Sequence, residues 1–385
     1  MITLILLASA VSCFVTGVFA ARLYRPYDDL SGAAAKFDEL LMKIGEVYIG
    51  EFNVEEVSDA AMHAAVDALG DRWSFYMTPE EYANYLDIAN NRFAGIGVGV
   101  ATEDTSEGVT VLSVYKGSPA EEAGIVPGDT ITGIDGESIL GIGIDDMREL
   151  LSRPIGETAE VEILRTDGTI ETLTVIYMYV FVDPVYFEMF DDDVGYIALA
   201  NFDYGAAERF ISAIDSLIED GARAFIFDVR TNNGGRVDQL TAILDYLLPE
   251  GEIFITVDRN GLEEVTYSGP DMIDLPAVVL INEYSFSAAE YFAATLGEYG
   301  YAQSVGEQTT GKNRMQITVQ LRSGGALHIS SSQYLTKNRV SLFDAGGLTP
   351  DYHVPLTDEE FEMLVTGTLE IDDDPQLQKA LSLLG

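Results

Sequence analysis

Between residues 194 and 297 short apolar runs alternate with amphipathic stretches, and this alternation restricts the possible folds more than any other feature of the chain. Residues 195–201 and 224–229 predict strands, and residues 206–218 and 237–248 predict helices. Two more apolar strands are expected near 253–257 and at 277–281, followed by a helix over 288–297. Strands near 316–321 and 326–330 close the domain. Strands that take turns with helices pack in layers as an α/β domain.

The preceding sequence has a different texture. From Tyr27 to Tyr85 apolar residues such as Leu40, Ile44, Tyr48, Ala60, Ala64 and Leu69 recur at three-to-four spacing, the stripe of an amphipathic helix. Thr78-Pro79-Glu80-Glu81 is a helix start with proline at its first position. The expected role of this region is packing. At Arg92 the pattern turns to strands and glycines. Gly95-Ile96-Gly97-Val98 forms a glycine-rich loop, 109–114 reads as a strand, Ser118-Pro119-Ala120 opens a short helix stopped by Gly124, and Pro127-Gly128-Asp129 is a turn. Strands at 130–134 and 161–164 follow, with a helix near 144–151 between them.

With 64 acidic against 21 basic residues, the chain has a formal charge of −43 and would repel a phosphate backbone, which excludes nucleic acid as a partner over most of the surface. Hydrophobic residues make up 47% of the chain, so it belongs with globular proteins and not with disordered ones. Asp191-Asp192-Asp193 and Asp372-Asp373-Asp374 read as turns. The single cysteine, Cys13, leaves no intramolecular disulfide and no cysteine metal site. Residues 2–20 carry no charge and have the length of a bilayer-spanning helix or of a secretory signal, with Val18-Phe19-Ala20 resembling a cleavage site. This predicts export, with residues 1–21 either removed or retained as a membrane anchor.

Ser287 offers a hydroxyl at the mouth of a helix, following an apolar strand. Taken alone, Ser287-Ala288-Ala289-Glu290 reads as a capping box. Lys312 follows 25 residues later and Gln316 four residues after that. A lysine acts as a general base only when neutral, which requires a desolvated or electropositive setting. The loop Asp228-Val229-Arg230-Thr231-Asn232-Asn233-Gly234-Gly235 ends in glycines, whose N–H groups, with that of Ala288, suit a developing oxyanion. Read alone, it is equally a tight strand-to-helix turn.

The ordered set over 93–177 closely resembles a PDZ domain. The Gly95, Ile96, Gly97, Val98 loop matches the carboxylate-binding loop, and Gly117-Ser118-Pro119-Ala120 with Gly124-Ile125-Val126-Pro127-Gly128-Asp129 matches the central signature. From Gly45 onward the whole chain resembles the carboxy-terminal processing (tail-specific) peptidases, PDZ-containing serine proteases with a Ser-Lys pair. Shared segments include Gly70-Asp71-Arg72-Trp73-Ser74-Phe75-Tyr76, Val305-Gly306-Glu307 and Gly347-Leu348-Thr349-Pro350-Asp351.

The resemblance implies a multidomain α+β protein. Its expected parts are a helical region over 22–92, the PDZ domain, a crotonase/ClpP-like α/β protease domain over 178–355 and a helical tail over 356–385. It further implies Ser287 as nucleophile in preference to Ser285, Lys312 as base, Gln316 as its support, and Gly234, Gly235 and Ala288 at the oxyanion. No cofactor or metal is implied. The implied partners are protein substrates with free C-termini, a membrane if the leader stays, and further copies of the chain. Phe286, Ala289, Asn233 and Asn313 depart from the usual pattern, and Glu298 stands where some members carry aspartate.

Other chemistries fit less well. The run from Gly306 to Lys312 approaches a P-loop, but Asn313 replaces the Ser or Thr that would bind Mg²⁺ and a strand follows where a helix is needed. His63, His328 and His353 are the only histidines, and no Gly-x-Ser-x-Gly elbow accompanies them. His328 and His353 are expected to pack near strands. The remaining alternative is a silent adaptor that binds tails without cutting them.

Overall fold

The computed structural model describes residues 30–101, 105–143, 153–190 and 193–385. The apolar run over 2–20, the helix expected near 144–151, and Asp191 and Asp192 lie outside the described residues. Among those described, no helix is long and apolar enough to cross a membrane.

The chain forms two compact units that meet in sequence between Gly70 and Asp71. In the first, Leu30–Val47 and Val54–Asp67 are helices, the second capped by the Asn53 side chain accepting from the Glu55 N–H. That second helix buries no residue within the described unit. The helical region expected over 22–92 therefore divides. Residues 71–92 belong to the second unit, where Phe75–Met77 is a strand and Pro79–Ala89 a helix.

In the second unit a six-stranded sheet runs in the order Val185–Phe190, Val194–Leu199, Ala224–Asp228, Ala277–Ile281, Ala302–Gly306, Tyr352–His353. The first pair is antiparallel and the others are parallel. Ala224–Asp228 and Ala277–Ile281 are buried at every residue, because helices cover both faces of a central parallel strand. Side chains alternate across each strand. Phe225, Phe227, Val279 and Ile281 meet the helices Ala206–Glu219, Val237–Leu247 and Ala288–Glu298. Ile226, Val278, Leu280 and Val305 face the other way and are covered by Leu377 and Ala380 of the C-terminal helix Pro375–Leu384. The aspartates at 372–374 form the end of a 3-10 turn and the cap of that helix instead of an open turn.

A second sheet runs Phe75–Met77, Ala326–Leu335, Gly251–Asp258, Glu263–Ser268, with Arg314–Gln320 also paired to Ala326–Leu335. The PDZ-like segment has its own sheet and its own core, which includes Ile96, Val111, Ile125, Ile131, Val161 and Ile163. Its two ends come together where Arg92–Gly95 pairs with Met178–Phe181.

Candidate active site

Ser287 ends a turn that leaves the buried strand Ala277–Ile281. Within the turn, buried Ser285 donates its hydroxyl to the Val229 carbonyl (2.7 Å) and accepts from the Asn282 N–H (3.0 Å). Asn282 Oδ1 accepts from the Thr231 N–H (2.9 Å) and the Tyr284 N–H (3.1 Å), tying the turn to the 231–235 loop. Ser285 is thus committed to structure, whereas Ser287 is half-buried and lines a cleft of about 650 Å³. Its backbone has φ 59°, ψ −120°, a conformation costly for any residue with a Cβ. A residue that only caps a helix has extended backbone.

Glu290, three residues into the helix and fully buried, connects the two halves of the site. Its Oε2 accepts from the Ser287 N–H (3.0 Å) and also from the Lys312 N–H (2.9 Å). Its Oε1 accepts from the Gly311 N–H (2.6 Å) and the Thr309 hydroxyl (2.5 Å). Burial pushes this carboxyl up, against the pull of those donors.

Lys312 enters the same cleft from the segment before Arg314–Gln320. Burial lowers its amine to about 8; Glu290 and Asp71 oppose the shift, and Arg72 adds to it. Nζ lies 4.4 Å from the centre of the Trp73 ring and 6.0 Å from that of Phe286. Its carbonyl accepts from the Tyr334 hydroxyl (2.6 Å), whose phenol burial keeps protonated. Gln316 also lines the cleft, but its amide donates to the Arg314 carbonyl (3.0 Å) and to Ser330 Oγ (3.0 Å). Among the described residues no hydrogen bond joins it to Lys312.

The expected oxyanion loop reaches Ser287. A Cβ on Gly234 would fall 2.7 Å from Ser287 Cβ and 2.8 Å from the Ala288 nitrogen, and Gly234 has φ +90°. Only glycine permits this approach. The Gly234 N–H, expected to face an oxyanion, instead donates to Asn232 Oδ1 (2.8 Å). Among the described residues the Gly235 and Ala288 N–H groups have no hydrogen-bond partner. Behind the loop the buried Arg230 is gripped by Asp228 and by Asp374 (2.7 Å), which joins the loop to the cap of the C-terminal helix.

Sequence alone assigns no chemistry to four groups at or near the cleft. Glu290 was hidden inside a capping pattern. Trp73 lies in a segment that resembles the family's but whose expected role is packing, and Tyr334 in a stretch beyond the expected strand. Asp203 lines the cleft with its carboxyl raised to about 6 by burial, against the pull of Arg236. His328 does pack near a strand as expected, stacked on Phe75 at 4.7 Å, with Nδ1 2.8 Å from Thr318 Oγ1. It also lines the cleft, where burial and then Lys312 lower its ring to about 4. Glu298 is engaged elsewhere, accepting from the Thr336 hydroxyl (2.6 Å) and the Asn338 N–H (2.8 Å). Among the described residues no cluster of side chains is suited to a metal.

In the PDZ-like segment, Gly97 has φ +87° and a Cβ there would fall 2.2 Å from Ser118 Cβ. The Ile96 carbonyl accepts from the Ala120 N–H (2.8 Å) and the Gly97 carbonyl from the Tyr115 N–H (3.0 Å). The loop's acceptors are therefore spent inside the fold. Among the described residues the Ile96 and Gly97 N–H groups have no partner.

A serine on a strained strand-to-helix turn and a half-buried lysine line one cleft of a chain that also carries a PDZ-like segment. Residues 193–354 match the model of peptidase family S41 and residues 110–165 that of the PDZ domain. The chain is 30% identical over 335 residues to the carboxy-terminal processing protease CtpA of Bacillus subtilis (strain 168), covering 86% of this chain and 71% of that one. It is 29% identical over 335 residues to the carboxyl-terminal-processing protease of Synechocystis sp. (strain ATCC 27184 / PCC 6803 / Kazusa), covering 86% and 77%. A solved structure assigned to the S41 proteases, from Bacteroides fragilis NCTC 9343, superposes with a TM-score of 0.54 at 18% identity, covering 88% of this chain and 90% of that one, which bears on fold alone. The chain belongs to peptidase family S41, the carboxy-terminal processing serine peptidases, and carries a PDZ domain.

Proposed function

We propose that the chain is an endopeptidase that works through Ser287 and Lys312 on proteins presented by their C-terminal tails. The observation that carries this reading is the shared Glu290 oxygen, which bonds both the Ser287 and the Lys312 N–H groups and holds the two segments in one register. An adaptor that only bound tails would have no use for a half-buried serine in a strained backbone beside a desolvated lysine.

Neutral Lys312 takes the proton from Ser287 Oγ as the hydroxyl attacks the scissile carbonyl. The oxyanion is held by the Gly235 and Ala288 N–H groups, since Asn232 already occupies that of Gly234. The Lys312 ammonium then protonates the leaving amine, and water releases the acyl group from Ser287. Gln316, which lines the same cleft, supports the lysine. The Ile96 and Gly97 N–H groups receive the substrate's terminal carboxylate, and Gly95 to Val98 offers the neighbouring strand edge to the tail.

Incubation with an unfolded protein, read by mass spectrometry, tests the reading. Wild type cleaves, and Ser287→Ala and Lys312→Ala do not; equal cleavage by all three would overturn it. Because the base must be neutral, kcat/KM rises with pH through a midpoint near 8. The apolar run over 2–20 supports placement of the catalytic unit outside the cytoplasm. Fractionation of cells and N-terminal sequencing of the mature chain check this and decide whether the leader is retained.

A further inference from the structure

Lys312 has an aromatic cover that the catalytic scheme does not use. Trp73 is the only tryptophan in the chain. Its ring centre lies 4.4 Å from Lys312 Nζ and 4.1 Å from the Arg72 guanidinium carbon, so two cationic groups share one indole. The ring also rests against Phe286, 5.6 Å between centres, and Phe286 immediately precedes Ser287.

The turn bearing Trp73 is firmly held. Asp71 accepts from the Ser74 hydroxyl (2.7 Å) and the Trp73 N–H (3.3 Å) and pairs with Arg314 (3.3 Å). Ser74 Oγ in turn accepts from the Ser330 N–H (3.0 Å). The indole is thereby fixed to both strands that flank the lysine.

Resting on the Ser287–Lys312 reading, we propose that Trp73, braced by Phe286, is a positioning residue that holds the Lys312 amine at the nucleophile and shields it from water. The charged and titratable groups around that amine are Glu290 from the helix, Asp71 and Arg72 from the turn, Arg314 paired to Asp71, and His328 and the Tyr334 phenol from Ala326–Leu335. Two effects of the indole oppose each other. Its electron-rich face favours the ammonium, and its bulk excludes the water that an ammonium needs. Burial is the largest influence on the amine and lowers it; on this proposal the indole, 4.4 Å from Nζ, contributes to that burial. Arg72 on the same ring works in that direction too, because a second positive charge there is repelled.

The test uses the full chain and the pH dependence of kcat/KM. Trp73→Ala admits water, so the rising limb moves up by about one pH unit and the rate at pH 7 drops about tenfold, with most of the rate recovered at the alkaline end. Trp73→Phe moves the limb less. A uniform loss of rate at every pH with the limb in place would show a merely structural role and overturn the proposal. If Trp73→Ala does not fold, intrinsic fluorescence decides. The single indole of the wild type should report a titration with the midpoint of the kinetic limb, kept in Ser287→Ala and absent in Lys312→Met. A fluorescence step that survives Lys312→Met, or no step in the wild type, sinks the idea. Failure of the Ser-Lys reading would show separately, as undiminished cleavage by Ser287→Ala or Lys312→Ala.

Discussion

Thr357-Asp358-Glu359-Glu360 and Ser287-Ala288-Ala289-Glu290 follow the same four-residue pattern, and the chain uses them for different ends. At Thr357 the backbone is extended (φ −72°, ψ 163°), the hydroxyl accepts from the Glu360 N–H (3.2 Å) and Glu360 accepts from the Thr357 N–H (2.6 Å). Thr78 with Glu81 is built the same way. At Ser287 the carboxylate half of the box persists, but the backbone has turned to positive φ, and the carboxylate is buried and shared with the lysine segment. A capping motif with an added segment of chain across it becomes a device for aligning the two segments proposed to act in catalysis. The comparison also shows why the motif alone could not reveal the site. The hydroxyl and glutamate that make the box are alike in both, and those two positions alone do not reveal the 309–312 segment that crosses one of them.

The sharpest way to break this comparison is to neutralise each carboxylate. Glu290 accepts from four donors, and the amide of Glu290→Gln can accept on one oxygen only, so two donors would face an NH₂ group in a buried place. We expect Glu290→Gln to lose roughly 3 kcal/mol or more of stability and nearly all turnover, measured by denaturant unfolding and peptide cleavage. Glu360→Gln, at the exposed box, should leave turnover as it is. Equal effects of the two substitutions would remove the distinction drawn here.

The lysine gives the next largest effect. Its amine is depressed to about 8, while in the unfolded chain it has the ordinary lysine value. Between those values the unfolded chain holds a proton that the folded one has released, so stability rises with pH across that window. Below about pH 8 both states are protonated and the folded state bears the full cost of a partly buried ammonium. Lys312→Met should therefore raise stability at neutral pH by up to roughly 2–3 kcal/mol, with the gain shrinking as pH rises toward the ordinary lysine range. A gain that does not change with pH would mean that packing, not charge burial, sets it. The sacrifice of stability for a reactive group is common at active sites.

How much of this was legible follows from what each feature needs. The strands Ala224–Asp228 and Ala277–Ile281 announce themselves because a strand covered on both faces must be apolar throughout. The PDZ loop announces itself because positive φ at Gly97 and Gly124 demands glycine. The choice of Ser287 over Ser285 rests on resemblance, because the burial of Ser285 and its bond to the Val229 carbonyl leave no mark in spacing. The strand Phe75–Met77 was not legible: three residues within a helical pattern carry no period, and its partner lies some 250 residues away. The loss of the Gly234 N–H to Asn232 was hidden too, since a side chain folding back on its own loop leaves no trace in spacing. The direction of Gln316 depends on Ser330, contributed by a neighbouring strand.

The smallest effect compares the two caps directly through glycine. Ser287 carries positive φ with a Cβ, and glycine adopts that region freely, so Ser287→Gly should relieve strain and raise stability by about 1 kcal/mol. Thr357 sits in extended backbone where its side chain satisfies the Glu360 N–H, so Thr357→Gly should lower stability by a few tenths of a kcal/mol. Thermal unfolding of the two variants beside wild type reads the sign. Opposite signs would mean that the serine is held in its strained backbone by the surrounding turn, with Glu290 and Asn282 supplying the restraint, and not by any preference of its own. A fall in both would mean that the turn at 282–287 gains more from a Cβ at Ser287 than positive φ costs it.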